Sequence, residues 1–165
     1  MLTCHEIIAF MPASLSQEIL EEVFLSDKAM YRVVLKTVAE SRKVRPVFLE
    51  RQARTHRHGI MVTVLSTARM DEAAGSLLRA WLLKSQLAMV TEFLDLLGIA
   101  HKAGVVEELP AAVDDDKLKP AIEGLLAKYS HPKVAVYLHA FYATNEPGWP
   151  TLAALLREDK RLQVC

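Results

Sequence analysis

The stretch from Arg69 to Ile99 does most to limit what this chain can fold into. Between Asp71 and Leu97 it holds no proline and a single glycine, Gly75, near the start. Wound at helical pitch, the second half places Leu82, Leu83, Leu87, Met89, Val90, Phe93, Leu94, Leu96 and Leu97 on one side. Lys84, Thr91, Glu92 and Asp95 fall on the other. In the first half Leu77, Leu78, Trp81 and Leu82 point several ways, as in a helix enclosed by its neighbours. Asp71 is placed to cap the N-terminus. Leu97-Gly98-Ile99 reads as a stop, with a glycine able to take positive φ and then an apolar residue to fold back. The spacing predicts one long central helix over 71–97, on which other helices pack.

The flanking segments carry the same period. Thr3 and Glu6 have the spacing of a capping box, opening a short helix that Pro12 ends. Ser14 and Gln17 repeat the signal before Ile19, Leu20, Val23 and Phe24, and Ser26-Asp27 offers the next cap. Ala29, Met30, Val33, Val34 and Val38 keep helical spacing to about Lys43, where Arg45-Pro46 forces a break. A further helix is expected from Pro46 to about Thr55. Gly59 to Leu65 is rich in β-branched residues, but the chain offers no partner strand to satisfy an isolated one, so helix is expected there too. Beyond Gly98 comes an acidic connection ending in Asp114-Asp115-Asp116, which caps the next helix. Pro132 suits the first turn of another, Asn145 to Pro150 is a loop, and Leu152, Leu155 and Leu156 mark a last helix fraying into Arg157 to Arg161.

The expected fold is therefore all-α, a single domain over residues 1–165 with about seven or eight helices. Two arrangements fit, an irregular helical bundle or a short stack of two to three helical hairpins around the 71–97 helix. The second draws on a weak internal similarity. Phe48-Leu-Glu…His56-Arg-His-Gly59 aligns with Phe93-Leu-Asp…His101-Lys-Ala-Gly104, and less well with Tyr137-Leu-His…Asn145-Glu-Pro-Gly148.

Charge excludes more than it suggests. With 20 basic and 20 acidic residues the net charge is zero, which removes the bulk electrostatic case for nucleic acid or an anionic membrane. Nucleic acid is disfavoured on that ground, though a local patch stays open. The most apolar windows are interrupted by Arg79, Lys84, Glu92 and Asp95, so no membrane span is expected. Met1 to Met11 lacks the basic start and the long apolar run of a signal peptide, and Cys4 and Cys165 fit two free thiols; the expectation is a cytoplasmic protein.

Catalytic and metal motifs are missing. No Glu stands three residues before a His, no two His stand four apart, and no Cys-x-x-Cys, phosphate loop, dinucleotide fingerprint or nucleophile elbow occurs. No cofactor and no bound metal are expected. His56 and His58 read as surface or capping residues crowded by Arg54 and Arg57. His139, among apolar neighbours, reads as a hydrogen-bonded interior or interface residue.

The most pointed polar feature is the run Arg42 to His58, which sets Arg42, Lys43, Arg45, Arg51, Arg54 and Arg57 against one acid, Glu50. Arginine suits planar recognition of carboxylate or phosphate. Arg51 and Arg54, or Arg54 and His58, could share a helical face. Either this run meets a partner, or Asp114 to Asp116 neutralise it within the fold. Three functional readings follow. The first is a non-enzymatic helical module that binds a protein partner or forms a homo-oligomer. The second is a binder of an anionic partner, nucleic acid or phosphorylated ligand, through Arg42 to Arg57. The third is a small enzyme with a helical pocket near His139, Tyr142 and Trp149.

Overall fold

Helix ends in this chain are set by local chemistry more often than by glycine or proline alone. The computed structural model describes all residues, 1–165. Ten α-helices and two short 3-10 turns follow one another without a strand. In α1 (Cys4–Phe10) the Thr3 amide donates to the Glu6 carboxylate at 2.8 Å, one half of the expected capping box. In α2 (Ala13–Ser26) the Pro12 carbonyl takes the first amides, from Leu15 and Ser16, so the helix opens just ahead of Ser14. Asp27 caps α3 (Lys28–Ser41) by accepting from the Met30 amide at 3.1 Å. The end of α3 turns back through Lys43, a non-glycine at φ 57°.

The helix expected over 46–55 is in fact two. The short α4 (Pro46–Glu50) stops at Arg51, and α5 (Arg54–Leu65) restarts at Ala53, absorbing the β-branched segment 59–65 as helix. Arg51 thus lies in the intervening turn and shares no helical face with Arg54.

The 71–97 stretch is also broken. A 3-10 turn (Ala68–Met70) leads into α6 (Asp71–Lys84), and α7 (Leu87–Leu96) follows after Ser85-Gln86. No helix breaker stands at that point. The amides of Ser85 and Gln86 both bond the Trp81 carbonyl, at 2.8 and 3.1 Å, and the Ser85 hydroxyl lies 3.3 Å from that of Ser26. Trp81, fully buried, donates its indole N–H to Glu22 of α2. The bend frees α7 to leave α2 and pack on α8 (Asp115–Lys128). At its end the forecast holds: Gly98 sits at φ 70°, its amide bonds Asp95 and the Ile99 amide bonds Leu94, the two bonds of a Schellman cap.

The centre is α6, which touches α1, α2, α3, α5, α7 and α9 (His131–Asn145). Leu77, Leu78, Trp81 and Leu82 are all buried, as an enclosed half requires. In α7 Met89, Val90, Phe93 and Leu94 are buried, as is Leu97 just after it; Leu87, and Leu83 in α6, are half-buried, and Leu96 faces solvent, contrary to the single-helix projection. Asp114 caps α8 through the Asp116 amide, and Pro132 occupies the first turn of α9. After α10 (Pro150–Glu158) the chain does not fray. Residues 160–162 form a 3-10 turn against α9 that buries Leu162 completely.

The internal similarity has no structural counterpart. His56–Gly59 lies within α5, His101–Gly104 forms a turn closed by a bridge between Lys102 and Val105, and Asn145–Gly148 leaves a helix for a loop. Of the two arrangements, the irregular bundle is the one formed.

Candidate functional site

The arginine-rich run divides into an inner and an outer set. Arg57, at the start of α5, turns inward and is 8% exposed. Its guanidinium donates to the Glu50 carbonyl at 3.2 Å and lies over the rings of Phe24 and Tyr31 at 5.6 and 5.7 Å. Arg54 covers the Phe24 ring at 4.6 Å and pairs with Glu21 at 2.9 Å. These two arginines tie α5 to α2 and α3.

Beneath them His58 is buried and shares a 2.8 Å hydrogen bond with the Tyr31 hydroxyl. The reading of His58 as a surface residue is overturned, because the turn before α5 rotates it inward while His56 stays exposed. Burial, then the charges of Arg57 and Arg54, push its pKa down to about 4. The same burial raises the Tyr31 hydroxyl.

The outer set is Arg42, Lys43, Arg45 and Arg51, all exposed and none in an ion pair. Asp114 to Asp116 do not reach them; those carboxylates make no ion pair, and Asp114 serves as a helix cap. Between Arg45 and Arg51, the short α4 buries Leu49 but exposes Val47 at 42% and Phe48 at 63%. An apolar pair set among unpaired arginines is the result.

His139 and Trp149 are both buried and each makes a hydrogen bond within the fold. His139 is buried and bonds the Leu162 carbonyl at 2.9 Å, which fixes the C-terminal turn on α9, and burial lowers its pKa. Its other ring nitrogen has no partner. Trp149 is buried against Phe141 and donates to the Pro110 carbonyl at 3.0 Å, pinning the acidic connection. None of the three main cavities is lined by both.

Two other ionisable pairs form at spacings that no motif marks, one between distant positions and one across a turn. His5 binds Asp71 at 2.8 Å beside Cys4, but that thiol is buried and its pKa is raised to about 11, the opposite of an activated nucleophile. His101 joins Asp95 at 2.7 Å while its other nitrogen accepts the Gly104 amide. No three His, Cys, Asp or Glu side chains gather as a metal site would require, and no helix is long and apolar enough to cross a membrane. Cys4 and Cys165 are both free. No family model, curated protein or solved structure matches this chain.

Proposed function

We propose that this chain is a non-enzymatic helical module that recognises an acidic, amphipathic segment of another protein through the surface around α4. The observation that carries the reading is the exposure of Val47 and Phe48 between arginines that have no partner in the fold. Aromatic and arginine side chains are the types that most often anchor interfaces, the ring by burial and the guanidinium by paired hydrogen bonds to carboxylates. A polyanion held through its phosphates needs only cations and has no use for Phe48. A peptide offering both carboxylates and apolar side chains uses the whole surface.

The test compares the full chain with a triple variant, Arg45→Glu, Phe48→Ala and Arg51→Glu. All three positions are exposed, so its melt should match the parent. The probes are an acidic amphipathic peptide, an acidic peptide without apolar residues, and a short DNA duplex, each at two salt concentrations. The expected result is binding of the first peptide that weakens with salt and is lost in the variant. Equal binding of both peptides, or preference for the duplex, would favour a general anion-binding surface instead. No binding to any probe would overturn the reading.

A further inference from the structure

The fold leaves unpaired charge of each sign on a different surface. Around α4, Arg42, Lys43, Arg45 and Arg51 stand exposed against one acid, Glu50. Arg45, Phe48 and Arg51 follow one another three residues apart, a helical spacing that puts them on one face. The connection from α7 to α8 has the opposite sign. Between residues 103 and 116 it holds five acids, Glu107, Glu108, Asp114, Asp115 and Asp116, and no base. All five are exposed and none is in an ion pair. With the end of α7 and the start of α8, this connection walls a broad, open hollow of about 890 Å³. Val105, Leu109 and Val113 belong to its apolar lining, and Glu107, Glu108 and Asp114 are its acids. Lys102 and Lys117 line it too, one at each end of the acidic run. The two surfaces do not meet within one chain. Buried Leu49 and the bond from Arg57 to the Glu50 carbonyl hold α4 against α3 and α5. The bond from Trp149 to the Pro110 carbonyl pins the acidic connection elsewhere.

Exposed apolar side chains among cations call for a counterpart that is apolar and acidic, and the chain itself carries one. The hollow lies within the range, roughly 300–1,000 Å³, of sites that take ligand-sized groups, so it has room for Val47 and Phe48. We infer, building on the reading of α4 as a recognition surface, that its partner is a second copy of this chain. Val47 and Phe48 of one copy enter the hollow of the other, with Arg45 and Arg51 against Glu107, Glu108 and Asp114. Opposite charge sets the orientation of the encounter. Burial of the Phe48 ring adds an attraction that salt does not screen. Because the two surfaces differ, the contact is heterologous. It closes as a pair where two copies exchange it and extends head to tail where they do not.

The test is sedimentation of the full chain over a concentration series. Its mass should rise above that of one copy with a dissociation constant on the order of 0.1 mM, as for a small transient interface. Association should weaken about tenfold between about 50 and about 500 mM salt. The triple variant Arg45→Glu, Phe48→Ala and Arg51→Glu should remain monomeric, and so should the double variant Glu107→Lys and Glu108→Lys. All five positions are exposed, so both variants should melt like wild type. Mixed together, the two variants should associate again, because each keeps the surface that the other has lost. Phe48→Ala alone should weaken association several-fold. A wild-type chain that stays monomeric at about 1 mM would overturn the inference. So would a mixture of the two variants that does not associate, or an undiminished association in Phe48→Ala. A monomeric wild type that still binds the acidic amphipathic peptide through α4 would remove the second copy as partner and leave the α4 reading standing. A monomer that binds no peptide would remove both.

Discussion

Replacing His58 by glutamine should remove a large part of the acid sensitivity of this fold. The imidazole is 1% exposed, bonded to Tyr31 and close to Arg57 and Arg54, the latter paired with Glu21. Protonating it in the folded state would bury a cation beside two others, so its pKa falls from 6.5 to about 4. The unfolded chain has no such penalty and takes up the proton below about pH 6.5. Stability from the neutral imidazole is therefore complete above that pH and is lost as pH falls towards 4, where the loss levels off. At about 1.36 kcal/mol per pH unit, the loss amounts to about 3 kcal/mol, a sizeable share of a typical domain's stability. His58→Gln keeps an acceptor for the Tyr31 hydroxyl but cannot titrate. Urea unfolding followed by circular dichroism, from neutral pH to about pH 4, should show wild type losing about 3 kcal/mol more than the variant. Contributions from His139 and the carboxylates occur in both proteins and cancel. Tyr31→Phe, which leaves the imidazole in place, should retain the wild-type slope. Parallel curves for wild type and His58→Gln would refute the argument.

Two further outcomes follow from burial and backbone geometry. Leu94→Ala, at a side chain 1% exposed, should cost about 2–5 kcal/mol in a urea melt, and Leu87→Ala clearly less, since Leu87 is only half-buried. Lys43→Gly should raise stability by about 0.5–1 kcal/mol, because Lys43 holds φ 57° at the end of α3, a conformation that costs a side chain and suits glycine; an unchanged or lower melting temperature would count against it.

The elements whose cause is local were legible in the chain itself. The all-α class follows from sustained helical spacing. The Thr3–Glu6 box, the Asp27 and Asp114 caps, Pro132 in a first turn and the Gly98 stop each depend on atoms within a few residues, so short patterns suffice to place them. The burial of Leu77, Leu78, Trp81 and Leu82 was readable for the same reason, because no single face could hold them all.

Tertiary structure decided what depends on partners far along the chain. The break at Ser85–Gln86 carries no glycine or proline; it forms where Trp81 is anchored to Glu22 and α7 finds its own neighbours. The C-terminal turn, which the charges of Arg157 to Arg161 suggest should fray, is held instead by Leu162 burial and the bond from His139. The arginine run looked uniform as a string of letters. Whether each guanidinium met a ring, a carbonyl, a carboxylate or only solvent was set by the turn at residues 51–53 and by the packing of α5 on α2 and α3. Spacing ranks residues by what one helix can present, whereas an arginine's fate depends on which other helix arrives beside it.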